Sequence, residues 1–330
     1  MRIPRDRFSV GVVLASLLYL LALMLCYLLR PDGAAAVTVL PAWAWAAPGV
    51  VVLGLGWRVG RRVLGVALLG WVAFLLWIPD ESVALWHALR PLPASSLPRL
   101  RVVSLNCGGG DPLAAAEVAA FHPDLVFLQE TPAASAVQAL ARTVFPGRGT
   151  ALVGLDAAII SAGPLTPITL TSLSRRARAA LACATVTLPN GLACDVLDLR
   201  LLPPLVRMDY WSPDCWRAQR ENRQDRRAQL QAIIRAYQQQ RPGHPLILGG
   251  DFNAPGGDAA CRVLKPALRD AFAAAGVGWG NTHENGFPIV RIDQLWATPA
   301  IRPLRVFVRK TQHSDHRMVI ADFLLTSPER

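Results

Sequence analysis

Three long apolar runs crowd into the first 78 residues, and they constrain the chain more than any other feature, because few water-soluble folds can bury uncharged stretches of that length. Residues 8–29 carry no charge and are long enough to cross a bilayer as a helix. Residues 37–57 are nearly as clean, and Val63 to Ile78 is a shorter third run. The expectation is an anchor over residues 1–79 with about three transmembrane helices, at 8–29, 37–57 and 63–78. Pro41 and Pro48 should kink or shorten the second, which hydrocarbon tolerates only where neighbouring helices satisfy the freed backbone groups. Trp43, Trp45, Trp57, Trp71 and Trp77 fit interfacial belts near several span ends.

The arginines set an orientation. Arg2, Arg5 and Arg7 precede the first run and Arg58, Arg61 and Arg62 separate the second from the third, so both sets belong on the cytoplasmic side. Everything after residue 79 then lies outside the cytoplasm, which predicts a multi-pass protein of the cell membrane with an extracytoplasmic domain. Cleavage as a signal peptide at Ala34-Ala35-Ala36 is the alternative for the first run, and it leaves the remainder on the same side. Of the net charge of +11, the first 79 residues carry +5, so the remaining +6 makes the rest only moderately basic. That balance suits nucleic acid, anionic headgroups or neither.

Six cysteines include no CxxC pair, which argues against a cysteine metal site. Asn190-Gly191 is a hairpin turn signal. A two-residue turn there pairs residue 187 with 194 and sets Cys183 opposite Asp198, so a bridge between Cys183 and Cys194 is not expected. Cys215 and Cys261 are a pair that sequence alone cannot match.

Pro91 to Pro98 reads as part of a linker over residues 80–99, short enough to keep the following domain near the bilayer. From Leu100 the pattern mixes strands and helices. Strands are expected at 100–106, 124–128, 151–160, 166–171, 180–188, 192–200, 245–248, 289–296, 302–309 and 318–325. Helices are expected at 112–121, 132–142 and 216–240. Such a mixture over residues 100–330 makes one α/β domain.

Polar groups recur where these strands end. Asn106 ends the first, Glu130 follows the second, Asp315-His316 precede the last, and Asp293 sits in the apolar context Arg291 to Leu295, where an acid is costly. In Gly249-Gly250-Asp251-Phe252-Asn253, glycines stop a buried strand, and Asp251 and Asn253, two apart, point the same way. Each alone is ordinary turn, cap or core chemistry; strand ends are also where rigid scaffolds carry reactive groups.

The ordered set Ser104-Leu105-Asn106, Leu128-Gln129-Glu130, Gly250-Asp251-Phe252-Asn253, Arg291-Ile292-Asp293 and Ser314-Asp315-His316 resembles the endonuclease/exonuclease/phosphatase superfamily, and with the apolar runs it resembles the membrane-anchored, teicoplanin-resistance type. The resemblance covers about residues 100–325. It implies a DNase I-like four-layer sandwich, two packed β-sheets flanked by helices, and an Mg2+-dependent phosphoesterase, with Mn2+ as the alternative cation. Glu130, with Asn106 and Asp315, would cradle the metal. His316 would act as general base or phosphate contact, oriented by Asp293; Asp251 would align or deprotonate water; Asn253 would donate to a phosphoryl oxygen.

Two positions depart from that pattern. Arg200 stands where many members carry histidine or asparagine; it can clamp phosphate but not donate a proton at neutral pH. Ser161-Ala162 replaces the usual Ser-Arg pair. A helix over 216–240 would also gather Arg217, Arg220, Arg223 and Arg227 on one face, as a phosphate-binding stripe or as a solvated face paired with Glu221 and Asp225. A phosphorylated substrate, lipid-linked or nucleic acid, and membrane lipid are thus the expected partners, and no protein partner is required. A non-catalytic phosphate-binding module is the alternative that Arg200 raises.

Overall fold

The computed structural model describes residues 5–89, 99–188, 191, 193–205 and 207–325. Its apolar part comprises α1 (Arg5–Leu29), the single-turn α2 (Ala35–Thr38), α3 (Ala42–Leu55), α4 (Arg61–Trp77) and α5 (Asp80–Ala88). One helix, Arg7–Leu29, is long and apolar enough to cross a membrane. There are up to three such spans if Asp32–Thr38 with Ala42–Leu55, bent by 78°, and Arg61–Trp77 with Glu81–Ala88, bent by 77°, each count as one. The expected kink in the second run falls at Pro41, while Pro48 lies inside α3.

Trp71 is a core residue of this bundle, not part of an interfacial belt. Its Nε1 donates to Ser16 Oγ at 3.0 Å, and Ser16 Oγ donates to the Gly49 carbonyl at 2.9 Å. A Cβ on Gly49 would lie 2.0 Å from the Trp71 ring, so only glycine admits the indole between helices. Outward, Leu18, Leu28, Val51, Val66, Leu69 and Trp77 stay exposed, an apolar surface that water disfavours. Residues 80–88, expected within the linker, form α5 instead; residues 90–98, including all of the Pro91–Pro98 stretch, lie outside the described residues.

The rest is a sandwich. Its strands are β1 (Arg99–Asn106), β2 (Leu125–Gln129), β3 (Thr150–Val153), β4 (Ala157–Ser161), β5 (Leu165–Pro167), β6 (Leu181–Thr187), β7 (Ala193–Arg200), β8 (Leu246–Asp251), β9 (Arg269–Asp270), β10 (Asp293–Ala297), β11 (Ile301–Arg309) and β12 (Met318–Leu325). The helices are α6 (Pro112–Ala116), α7 (Ala134–Val144), α8 (Arg175–Ala179), α9 (Pro213–Gln240) and α10 (Ala271–Ala275). Two six-stranded sheets run in the orders β11-β12-β1-β2-β4-β3 and β5-β6-β7-β8-β10-β9. Phe127, Val196, Ile247, Leu295 and Phe323 help fill the space between them. The outer face of the first sheet is covered through Val118, Val137 and Leu140, and that of the second by Leu230, Ile233 and Tyr237 of α9. Four layers result, as the resemblance implied.

The expected strand over 151–160 is a hairpin, because Gly154 to Asp156 turn the chain between β3 and β4. Pairing of Thr187 with Ala193 shifts the β6–β7 register by one residue from expectation and sets Cys183 opposite Leu197. Asn190 itself lies outside the described residues. All six cysteines are free, Cys215 and Cys261 included.

Candidate active site

Topology gathers the strand ends. β1 and β2 are parallel, as are β7 and β8, so each pair delivers its carboxyl ends to one edge. β12 runs antiparallel to β1 and β10 antiparallel to β8, which returns their amino ends, with Ser314 to His316 and Asp293, to those edges. Asn106 shows that the two edges meet. Fully buried, it donates through Nδ2 to Glu130 Oε1 at 3.2 Å in its own sheet and to Asp251 Oδ2 at 3.1 Å in the other. Its Oδ1 accepts the Gly108 N–H at 3.0 Å, which makes Asn106 a strut between carboxylates.

The local backbone serves this placement. A Cβ on Gly250, whose φ is +125°, would lie 2.0 Å from the Leu199 carbonyl oxygen, so glycine is required for β8 to close on β7 one residue before Asp251. Glu130 and Asn253 adopt left-handed backbone, with φ of 45° and 48°. That conformation is costly for non-glycine residues and persists where surroundings fix it, often at functional sites. Here the Glu130 N–H is held by the Asp156 carbonyl at 3.1 Å, and the Asn253 N–H by Asp251 Oδ1 at 2.9 Å.

Glu130 lies at the mouth. Burial alone would raise its pKa, but the Gly109 N–H at 2.6 Å, the Arg200 guanidinium and Asn106 together lower it, so the carboxylate is ionised. Arg200 reaches Glu130 Oε1 at 2.6 Å and Asp156 Oδ2 at 3.2 Å, and its Nε lies 3.8 Å from Asp251 Oδ2. Deeper in the cleft, Asp251 is buried, and burial followed by the Asp293 charge pushes its pKa well above the usual carboxylate range. Asn253 Nδ2 donates to the Leu201 carbonyl at 2.9 Å and to Asp251 Oδ2 at 3.1 Å, so the expected phosphoryl donor has both amide hydrogens engaged, one of them on Asp251. His316 Nδ1 lies 2.8 Å from Asp293 Oδ2. Burial disfavours the imidazolium, but Asp293, with Asp251 and Asp315, outweighs it and lifts the pKa to about 9.

Glu130, Arg200, Asp251, Asn253, Asp315 and His316 line one cleft of about 380 Å³. Asn106 and Asp293 stand directly behind them. Arg217 and Arg220 do not join the group. Arg217 pairs with Asp214 at 3.0 Å on the exposed surface of α9, and Arg220 is exposed beside it. The same face turns inward further along: Arg223 meets Asp258 at 3.0 Å with both buried, and Arg227 meets Asp32 at 2.5 Å.

Reading strand ends overlooked His283, whose ring centroid is 4.8 Å from that of His316 and whose Nε2 is 3.8 Å from Asp315 Oδ2. It also overlooked Asp156 and Thr282, whose Oγ1 accepts the Ile292 and Asp293 N–H groups at 3.1 Å each. The polar run Asn281 to Asn285 was the available signal, but no regular strand marks it.

Among the described residues, two groups offer ligand atoms within 4.8 Å of one another: Asp251, Asp293 and His316, and His283, Asp315 and His316. Asp293 Oδ1 is buried without a hydrogen-bond partner among the described residues. The carboxylate oxygens among these atoms, Asp293 and Asp315 with the ionised Glu130 at the mouth, are the kind a hard divalent cation takes.

A two-sheet sandwich that delivers carboxylates, a buried amide and a carboxylate-backed imidazole to one cleft defines a class, the hydrolases of phosphate esters. The model of the Endonuclease/Exonuclease/phosphatase family matches residues 103–316, and the chain belongs to that family. Among solved structures it is similar to an endonuclease/exonuclease/phosphatase family protein from Bacteroides thetaiotaomicron, with 15% identity over 71% of this chain and 100% of that one and a TM-score of 0.52. A mannosyl-6-phosphatase from the same organism matches at 16% identity over 68% and 100%, with a TM-score of 0.51. A humanized D. rerio TDP2 matches at 19% over 68% and 98%, with a TM-score of 0.50. These likenesses concern the fold. A search of the curated proteins found no match.

Proposed function

We propose that the chain is a membrane-anchored phosphoesterase that hydrolyses a phosphate ester or diester by attack of water with help from a divalent cation, Mg2+ or alternatively Mn2+. Residues 1–79 serve as anchor and residues 100–330 as the catalytic unit, held outside the cytoplasm. The observation that carries this reading is the convergence of Glu130, Asp251 and the Asp293–His316 pair on one cleft beside Arg200. Glu130 and Asp315, with Asn106 bracing Glu130, are the residues that would hold the cation, which supplies positive charge to the phosphoryl group.

The remaining steps belong to side chains. Asp251, with its raised pKa and its orientation fixed by Asn106 and Asn253, aligns water and accepts its proton near neutrality. His316 is imidazolium at neutral pH and acts as a charged donor to a phosphoryl oxygen, not as the base. Arg200 stays charged and offsets charge on the same group. The arginine stripe of α9 gives little support to a polynucleotide track, because Arg223 and Arg227 are spent on Asp258 and Asp32.

The test is turnover of a panel of lipid phosphates, sugar phosphates and nucleic acids with and without Mg2+. Asp251→Asn and His316→Ala should each lower kcat/KM by about a thousandfold with the thermal transition kept, on the scale seen for lost electrostatic and acid–base groups. Asp293→Asn should move the alkaline limb of the pH profile to lower pH, since the carboxylate that holds the proton on His316 is gone. Full turnover in both Asp251→Asn and His316→Ala would remove the assignment.

A further inference from the structure

The cleft is not built by the sandwich alone. Val39 and Leu40, in the corner between α2 and α3, form part of its wall together with Pro203, Met208, Ile289 and Val290. Their position is enforced. Asp32 is held by Arg227, the Pro31 carbonyl by Arg223 at 3.2 Å, Thr38 Oγ1 by the same guanidinium, and the Gly256 carbonyl accepts from Arg30 at 3.1 Å. Arg223 in turn is neutralised by Asp258, so the whole corner is tied to the loop that follows Asp251.

The cleft therefore joins the acidic and cationic cluster to apolar side chains, with Arg207, Gln219 and Glu284 also on its lining. The hydrocarbon side continues outward. Met208 at the rim is about half exposed, Leu205 and Trp211 of the same loop are exposed, and Tyr210 between them packs edge-on against Trp45 of α3 at 5.5 Å. Apolar lining residues of the cleft are thus followed in the same loop by exposed apolar side chains, and Tyr210 joins that loop to α3.

We propose that the substrate is a membrane amphiphile whose phosphate sits against Arg200 and His316 and whose hydrocarbon chain leaves along Val39, Leu40, Met208 and Val290, so that residues of the anchor select the substrate. This rests on the phosphoesterase reading and names its substrate class. A cleft of about 380 Å³ holds a headgroup and the first part of a chain, and the rest of the chain follows the exposed Met208–Trp211 edge into lipid. A sugar phosphate or a nucleotide would leave the Val39–Leu40 wall facing polar atoms, which that wall cannot satisfy.

The experiment uses the full chain in detergent micelles, with alkyl phosphates and alkyl phosphocholines of two, six and twelve carbons and Mg2+. The expected result is a rise in kcat/KM of at least tenfold from two to twelve carbons, flattened severalfold by Leu40→Asp and by Met208→Gln, the latter at an exposed position that cannot unfold the domain. Equal kcat/KM at every length in the wild type, or an unaltered length dependence in both variants, overturns the proposal while the phosphoesterase reading stands. Absence of turnover with every phosphate ester, the sugar and nucleic-acid panel included, removes both.

Discussion

Two sets of arginines stand beside carboxylates in this molecule, and they do different things. Arg200 lies in the cleft, partly open to water, with Glu130, Asp156 and Asp251 around it. Arg223 lies in the seam between α9 and the N-terminal helices, closed to water, with Asp258 as its ion partner and the Pro31 carbonyl and Thr38 hydroxyl accepting from its terminal nitrogens, while its Nε is buried without a hydrogen-bond partner among the described residues. Charge and spacing are alike; access differs. A guanidinium open to a cleft is free to meet a phosphate, whereas one closed off by protein fixes geometry. The seam matters to the cleft nonetheless, because the corner it holds carries Val39 and Leu40.

The largest effect that tests this contrast is on stability. Arg223→Met leaves the Asp258 carboxylate buried without its partner, and breaking such a pair costs roughly 3–5 kcal/mol. Thermal unfolding in detergent should show it, and the double variant Arg223→Met with Asp258→Leu should recover much of the loss, since an apolar pair of similar volume is often neutral. A catalytic defect in Arg223→Met without any stability change would place Arg223 with Arg200. The corresponding change in the cleft is Arg200→Lys. A lysine keeps the charge but loses the planar fork that touches Glu130 and Asp156 together, so kcat/KM should fall about ten- to a hundredfold with the unfolding transition little moved. Wild-type kinetics in Arg200→Lys would reduce its role to a point charge.

Much of the fold and cleft was legible because the signals were local. Apolar runs mark the strands and Thr131-Pro132 follows the end of β2, although Gly249-Gly250 do not stop β8, which runs on through them to Asp251 paired with β7 and β10; once β1 with β2 and β7 with β8 are parallel, Asn106, Glu130, Arg200 and Asp251 have one edge to occupy. What stayed illegible depends on distant partners. Asn253 looks like an open donor in sequence, and only the approach of the Leu201 carbonyl shows its amide to be engaged. His283 lies in an irregular loop that pattern reading passes over, and it matters because that loop bridges to His316. Asp198 reads as an ordinary strand acid, yet burial raises its pKa well above the usual range as it accepts from Gln129 Nε2 at 2.6 Å. The helical arginine stripe was visible, but not that Asp32 and Asp258, far from it in sequence, would take half of it.

The exposed half of that stripe gives the smallest expected effect and the sharpest check on the contrast. Arg217 and Arg220 are the members of the face that water reaches, so they are the ones a phosphate backbone or headgroup would have to use. Neither lines the cleft, and the Arg217 pair with Asp214 is an exposed contact of a kind worth about 0–1 kcal/mol. Replacing both with alanine should change kcat/KM for a long-chain alkyl phosphate by less than about twofold and the unfolding free energy by no more than about 1 kcal/mol. A loss of turnover on polynucleotides alone, steep in salt as counterion release requires, would instead mean that the outer face of α9 carries substrate. The two sets of arginines would then divide by ligand, nucleic acid outside and the reacting phosphate within, and not by access.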